Sequence, residues 1–235
     1  MAQAYKVFLF DIDTVLGTET EKELNSSVDN DSVTFLECDV TSEEQFRGAF
    51  NKVVTQCKHI TLLVNNAGIA DEHNPDHCIA VNLTAMIRGS NLAIEHMRKD
   101  KKGRGGTIVN IASMAAVQSH HILPTYCATK SGILNFTKSW AKNPRIQEFG
   151  LKFMCLCPGL VETSLIEAGA SKTLDPAAFE TTKKAMKAIS LETVQNSFDK
   201  LMKEGTNGSV LEVSSFQIDF MVDPVLMKSK VSSKE

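Results

Sequence analysis

The chain has 235 residues, with 25 lysines and arginines against 28 aspartates and glutamates, and a formal net charge of −3. This length fits one large α/β domain with a sizeable core, and the interspersed charges exclude the basic surface typical of proteins that bind nucleic acid. The six cysteines have no paired CxxC spacing and no accompanying histidine cluster, so we expect no metal site and free thiols in a reducing, cytoplasmic setting.

Apolar runs predict strands in the first third of the chain. They lie at Val7–Phe10, Val33–Cys38 and Ile60–Val64, and the first of them suits a strand that is buried on both faces. A short helix is predicted at Thr18–Leu24, and Thr41–Glu44 has the capping-box pattern that opens a second helix. The first of these runs is too short for a signal peptide, and no run approaches the length of a membrane span.

The rest of the sequence continues the alternation of helices and strands. Long helices are predicted at Pro75–Lys99 and Thr125–Trp140, with a strand at Thr107–Ser113 between them. The later elements are a strand at Leu151–Leu156, a mobile segment at Gly169–Lys184, a helix at Leu191–Lys203 and a last strand at Ser209–Val213. This alternation predicts a doubly wound parallel α/β sheet of about six strands. We expect a single Rossmann-like domain at 1–225 and a polar tail at 226–235.

Three polar residues near the middle of the chain suggest proton-transfer chemistry. Ser113 ends a predicted strand, while Tyr126 and Lys130 are four residues apart and share one face of a predicted helix. A nearby ammonium favours ionisation of a phenol, and a serine hydroxyl can hold a substrate oxygen while the phenol exchanges its proton. A Tyr-x3-Lys pair on a solvated helix face would arise by chance about one time in ten, so the pair is informative only with other motifs.

Those motifs are Leu63–Ile69 (LVNNAGI), Asn82 and Cys157–Thr163 (CPGLVET). Together with the serine, tyrosine and lysine, they resemble the short-chain dehydrogenase/reductase family in order and spacing, from Val7 to Phe220. The resemblance implies a Rossmann-like oxidoreductase that uses NAD to interconvert a secondary alcohol and its ketone. Within the family, the stretch Tyr126–Lys130 is most like members that oxidise lipid-like alcohols.

The resemblance also implies catalytic roles for individual residues. Tyr126 would be the general acid/base, Lys130 would lower its pKa and hold the nicotinamide ribose, and Ser113 would orient the substrate oxygen. Asn82 would hold a water that links the lysine to solvent. The alternative for Asn82 is a helix-interior asparagine bonded to backbone, which we weigh at about one in three.

The implied cofactor contacts are spread along the chain. Asp11 would bind the adenosine ribose and disfavour a 2′-phosphate, so NAD is expected over NADP. Its alternative, a loop carboxylate with no ligand, has equal weight. The other implied contacts are Asp39 and Val40 at the adenine, Asn66, Ala67 and Gly68 along the cofactor face, and Pro158, Gly159 and Thr163 over the nicotinamide end, with Tyr126 and Lys130 at its ribose.

This sequence lacks one part of the family pattern. No strand and glycine-rich turn precede the strand that ends at Asp11, and Gly17 is the only glycine before Gly48. Because unpaired backbone groups in the interior cost about 1–3 kcal/mol each, we expect the sheet to close up, with Val7–Phe10 directly beside Ile60–Val64 in the strand order 2-1-3-4-5. The first turn then carries Asp11 and Asp13 where family members have glycine amides.

Two functions follow as hypotheses. The first is the NAD-dependent alcohol dehydrogenase, with an apolar substrate because Leu123 replaces the polar residue found there in the lipid-oxidising members. The second is a catalytically impaired, truncated relative that acts as a binding or dimerising module. By resemblance we expect a homodimer formed by the helices Pro75–Lys99 and Thr125–Asn143. Its apolar contact residues would be Ala85, Met86, Ile87, Phe136 and Trp140.

Overall fold

The computed structural model describes residues 5–28, 32–167 and 170–221. Its α-helices are α1 Thr14–Val28, α2 Glu43–Cys57, α3 Pro75–Ile79, α4 Ala85–Met97, α5 Pro124–Ala141, α6 Ile146–Phe149, α7 Ser164–Glu167, α8 Pro176–Ala185 and α9 Leu191–Glu204. Its strands are β1 Val7–Asp11, β2 Val33–Glu37, β3 Leu62–Asn65, β4 Gly106–Ile111, β5 Leu151–Pro158, β6 Val210–Val213 and β7 Ile218–Phe220. The predicted tail, 226–235, lies outside the described residues.

The doubly wound α/β fold predicted from the sequence is confirmed. Strands β3, β4, β5 and β6 pair in parallel in that order, and β7 pairs with β6 in the antiparallel direction. The central strands β4 and β5 contribute the most buried residues, among them Val109, Phe153 and Met154, each fully buried. Seven strands are present in the described residues, one more than predicted, because the short β7 gave no apolar pattern in the sequence.

The predicted strand order is wrong at β1. Strand β1 pairs only with β2, from Val7 opposite Val33 to Asp11 opposite Glu37, and these two strands form a separate sheet from the other five. Leu62 and Val64 of β3 are 38% and 36% exposed, so this strand is not enclosed in the interior. The cost that we assigned to buried, unpaired backbone groups therefore does not apply at this edge.

Helix α2 explains why the sheet does not close. The Phe46 ring lies edge-on to Phe10 of β1, with 6.2 Å between ring centroids. A Cβ at Gly89 of α4 would lie 2.8 Å from the Phe46 ring and 2.7 Å from the Asn65 side-chain oxygen, so the ring also contacts α4 near the end of β3. Arg88 of α4 donates hydrogen bonds to two carbonyls of the turn after β2. These contacts fix the β1–β2 pair at a distance from β3.

The segment Gly169–Lys184, predicted to be mobile, contains all but the last residue of helix α8, which begins where the Asp175 carboxylate accepts a hydrogen bond from the Ala178 amide. Local capping and one helix distortion account for three other differences. Helix α1 begins earlier than predicted because the Asp13 carboxylate accepts hydrogen bonds from the amides of Val15 and Leu16. Ser42, not Thr41, caps α2. The long helix predicted at Pro75–Lys99 is divided by a π-helical turn at residues 80–84. Within the described residues, no helix is long and apolar enough to cross a membrane.

Candidate active site

Helix α5 brings the predicted tyrosine and lysine to the end of strand β4. It begins with Pro124, whose fixed φ suits the first helical position. Tyr126 and Lys130 follow on successive turns, and Lys130 lies on the buried face of the helix, at 4% exposure. Ser113 comes two residues after β4 and opens the 3-10 turn Met114–Ala116, against which α5 packs. The structure therefore brings together the three residues that the sequence singled out.

The Ser113 hydroxyl lies close enough to the Tyr126 phenol to influence its pKa. Burial raises the pKa of Tyr126 to about 12, and the neighbouring Ser113 hydroxyl opposes this shift only in part. The serine hydroxyl also donates to the Pro158 carbonyl at 3.2 Å and accepts from the Ala115 amide at 3.2 Å. These bonds hold its oxygen between the ends of β4 and β5, beside the phenol.

Lys130 is held by the end of the sheet. Its Nζ donates to the Ile111 carbonyl at 3.0 Å and lies 5.5 Å from the centroid of the Tyr126 ring. Burial lowers the pKa of Lys130 to about 8, while the nearby thiols of Cys155, Cys157 and Cys78 favour the charged form. The sequence-based expectation of an acidic phenol is not met, because burial outweighs the effect of the ammonium on Tyr126. Desolvation instead makes the lysine easier to deprotonate.

Asn82 lies in the π-helical turn and is completely buried. Its side-chain oxygen accepts from the Ile69 amide at 2.8 Å, and its nitrogen donates to the Ile69 carbonyl at 2.8 Å and the Thr129 hydroxyl at 3.1 Å. The side chain thus ties the loop after β3 to α5, as in the backbone-bonded alternative. At Gly68 a Cβ would lie 3.3 Å from Lys130 Nζ, so this loop passes directly over the lysine.

The carboxylates predicted at the adenosine end are engaged within the chain. Asp11 accepts a hydrogen bond from the Asp13 amide at 3.0 Å, and Asp13 caps α1. Asp39 accepts from both the amide and the hydroxyl of Thr41, at 2.8 and 2.7 Å, and these bonds hold its pKa below the ordinary value. The N-terminus of α1 therefore meets a carboxylate of its own chain, not an open anion site.

The other predicted cofactor residues lie near the carboxyl ends of the strands. Asn66 and Ala67 are exposed in the loop after β3, and Val40 is half-buried in the turn after β2. Pro158 is the last residue of β5. The amide of Gly159 donates a hydrogen bond to the Val213 carbonyl at 2.7 Å, and the Thr163 hydroxyl donates to the Val161 carbonyl. A ligand bound outside the carboxyl ends of the strands would contact the loops after β2, β3 and β5 at the same time.

Sequence reasoning missed one residue of this region. The Glu72 side chain is buried and accepts hydrogen bonds from the amides of Thr125 and Tyr126, at 3.0 and 2.9 Å. The partners are 53 and 54 residues apart in the chain, and no local pattern joins an acid in a loop to the start of a distant helix. Within the described residues, no group of three or more histidine, cysteine or acidic side chains is placed to hold a metal ion.

A family model described as short chain dehydrogenase matches residues 1–174. The chain belongs to the short-chain dehydrogenase family. This membership classes it among the oxidoreductase enzymes and confirms the family predicted from Ser113, Tyr126 and Lys130 with their accompanying motifs.

Several curated relatives share the family. The 15-hydroxyprostaglandin dehydrogenase [NAD(+)] of Mus musculus is 30% identical over 97% of this chain and 89% of that protein. Its Homo sapiens counterpart is 34% identical over 69% of this chain and 61% of that protein, and alcohol dehydrogenase 1 of Ceratitis cosyra is 33% identical over 71% and 64%. The aligned stretch thus covers less than two thirds of the latter two proteins.

Among solved structures, levodione reductase superimposes with a TM-score of 0.76 over 89% of this chain and 86% of that chain. At 19% identity, this similarity establishes the fold alone.

Proposed function

We propose that this short-chain dehydrogenase interconverts an apolar secondary alcohol and its ketone by hydride transfer with NAD, using Tyr126 as the general acid/base. The observation that carries the proposal is the convergence of Ser113, Tyr126 and Lys130 at the end of β4. The serine hydroxyl lies close enough to the phenol to lower its pKa, and the lysine Nζ lies 5.5 Å from the centroid of the tyrosine ring. A proton donor, an oxygen-binding hydroxyl and a cation are the groups that reversible alcohol oxidation needs.

The residues fit one end of the cofactor. Lys130 and Tyr126 would hold the nicotinamide ribose under the loop at Gly68, where a side chain would approach the lysine Nζ to 3.3 Å. When bound, the nicotinamide ring would supply or accept the hydride. The diphosphate end does not fit in the described residues, because the Asp13 carboxylate accepts hydrogen bonds from the amides at the start of α1. We therefore propose NAD as the cofactor, bound weakly.

The protonation states of the site favour ketone reduction at neutral pH. With the pKa of Tyr126 raised to about 12, the phenol keeps its proton and is ready to donate it to a developing alkoxide. The Ser113 hydroxyl, held by the Pro158 carbonyl, would position that oxygen. Lys130, with a pKa of about 8, remains mostly protonated at pH 7 and would stabilise the phenolate that donation leaves behind. Alcohol oxidation, which needs the phenolate, is expected to speed up with rising pH.

The proposed substrate is a lipid-like secondary alcohol or its ketone. Three observations support it: the apolar side chain of Leu123, next to the start of α5; the exposed apolar side chain of Leu174, whose amide bonds the adjacent Ile122 carbonyl; and the similarity to relatives named for 15-hydroxyprostaglandin.

The reaction can be followed by the absorbance of NADH. The assay offers an apolar ketone with a high concentration of NADH to the unmodified chain, Tyr126→Phe and Tyr5→Phe. Tyr5, the only other tyrosine, is 65% exposed and serves as a matched control. We expect Tyr126→Phe to lose about 100-fold or more in turnover, the usual scale for general acid catalysis, and Tyr5→Phe to be unchanged. Equal turnover in all three chains would contradict the assigned mechanism.

A second candidate function is favoured by the separate β1–β2 sheet and by the occupied amides at the start of α1. A relative that does not turn over substrate would act as a binding or dimerising module. Complete absence of turnover in the unmodified chain, restored by adding a glycine-rich strand, turn and helix before Val7, would favour this function over the first.

The proposed setting is a homodimer in the cytoplasm. All six cysteines are free thiols, which suits a reducing compartment. The predicted apolar contact surface needs correction, because Ala85 and Met86 are buried in the core of the chain and Trp140 stacks on Phe153. Association would instead use the outer, partly exposed faces of α4 and α5. A monomer mass by light scattering at all accessible concentrations would contradict it.

A further inference from the structure

Glu72 places a carboxylate at the start of the helix that carries the proposed catalytic tyrosine. The residue is 8% exposed, and each of its two oxygens accepts one backbone hydrogen bond, from Thr125 at 3.0 Å and from Tyr126 at 2.9 Å. Helix α5 has no cap of its own, since the side chain of Leu123 at the N-cap position makes no capping bond. The first amides of a helix have no partner within it, and a negative charge there also interacts favourably with the helix dipole.

The backbone of Glu72 is bound from the opposite side. Its amide donates to the Lys172 carbonyl at 2.9 Å, and the neighbouring Asp71 forms an ion pair with the Lys172 ammonium at 3.4 Å. Two residues further on, the Leu174 amide donates to the Ile122 carbonyl, just before α5. One residue therefore joins the loop after β3, the segment at residues 170–174 and the first turn of α5.

The position of the phenol depends on that first turn. Tyr126 is the third residue of α5, and its own amide is one of the two groups that Glu72 holds. Its hydroxyl must reach Ser113, which is fixed separately by β4 and by the Pro158 carbonyl. A first turn that frays would carry the phenol away from the serine while leaving the later turns, with Lys130, in place.

We propose that Glu72 is a positioning residue, which holds the Tyr126 phenol against Ser113 by fixing the first turn of α5 from another loop. The inference deepens the proposed function, because it concerns the residue to which that function assigns proton transfer. It can be tested without cofactor or substrate, so its outcome is separate from whether the chain oxidises an alcohol.

The chain is suited to an optical test because it contains only two tyrosines. In a Tyr5→Phe background, tyrosinate absorbance reports Tyr126 alone. At pH 11, a phenol with a pKa of about 12 is about one-tenth ionised, whereas one at the ordinary value of 10.0 is about nine-tenths ionised. The ionised fraction at pH 11, with folding checked by circular dichroism at the same pH, thus measures how well the phenol is kept in its desolvated position.

Three variants in that background separate the carboxylate from its surroundings. Glu72→Ala removes both acceptors, and we expect the ionised fraction to rise from about one-tenth to half or more, as expected when a buried group gains solvent. Glu72→Gln keeps one acceptor oxygen and should give an intermediate value. Asp71→Asn removes a neighbouring charge and the Lys172 ion pair but leaves both α5 bonds, so we expect no change.

An unchanged ionised fraction in folded Glu72→Ala would overturn the proposal, and so would an equal rise in Asp71→Asn. If the Glu72 variants do not fold, hydrogen exchange of the backbone amides in the unmodified chain tests the proposal instead. The amides of Thr125 and Tyr126 should then exchange much more slowly than is usual for the first turn of a helix, because both are bonded. Rapid exchange of these two amides would equally refute the role of Glu72.

Discussion

Replacing Lys130 with methionine should stabilise the folded chain at neutral pH, even though it removes a proposed active-site residue. In the folded chain, burial lowers the pKa of Lys130 from 10.5 to about 8. The unfolded chain therefore binds more protons than the folded chain between these two values, so this group raises the free energy of unfolding as pH increases from about 8 to 10.5. Below pH 8 the full cost of burying the ammonium is present.

The size of the effect follows from the pKa. A difference of about 2.5 pH units, at 1.36 kcal/mol each, corresponds to about 3 kcal/mol at pH 7, and the 4% exposure of Lys130 leaves little solvent to screen it. Methionine also loses the hydrogen bond to the Ile111 carbonyl, which is worth about 1 kcal/mol. We therefore expect Lys130→Met to be more stable by about 2 kcal/mol at pH 7. This advantage should disappear near pH 10, where the folded lysine is already neutral.

The measurement is urea unfolding of both chains at pH 7 and pH 10, with Lys138→Met as the matched control on the same helix. Lys138 is only partly buried and contacts Met221. Comparing chains at each pH cancels the contribution of buried thiols such as Cys38, whose raised pKa lowers stability in alkaline solution in every variant. If Lys130→Met is no more stable than Lys138→Met at pH 7, or if its advantage is the same at both pH values, the lysine is not the desolvated group described above.

Three further substitutions test the packing that positions the site. Gly89→Ala should cost about 1–3 kcal/mol of stability, because the new methyl group would lie 2.8 Å from the Phe46 ring. Gly48→Ala has nothing within 4 Å of the new methyl group and should stabilise α2 by about 0.5–1 kcal/mol. Thermal unfolding of the two variants checks this, and equal shifts in melting temperature would contradict the contact between α2 and α4. Asp13→Ala should cost about 1 kcal/mol by removing the cap of α1, and an unchanged melting temperature would show that the cap is not formed.

The sequence predicted the order of the elements and the cluster at the end of β4 for identifiable physical reasons. Helical spacing placed Tyr126 and Lys130 on one face, and the strand before Ser113 fixed the edge at which they meet. What it could not predict depends on contacts between distant segments. The place of β1 is decided by Phe46 packing against α4, and the first turn of α5 is held by Glu72.

The pKa values of Tyr126 and Lys130 also depend partly on local spacing, which the sequence shows, and partly on burial, which it does not. The spacing of Tyr126 and Lys130 correctly indicated that the two groups are neighbours, with the lysine Nζ 5.5 Å from the ring centroid. It gave no measure of how deeply either group is buried, and desolvation turned out to be the largest effect on both.

In the proposed site, Ser113, Tyr126 and Lys130 form the catalytic end, and Asp13 occupies the helix terminus at the end that would bind the diphosphate. Calorimetric titration of the purified chain with NAD at moderate salt tests this arrangement most directly, with Lys130→Met as the comparison. We predict binding much weaker than low micromolar, because Asp13 fills the helix terminus that would face the diphosphate, and further weakening in Lys130→Met, which loses the proposed ribose contact. Low-micromolar binding, or binding that is the same in both chains, would contradict this account.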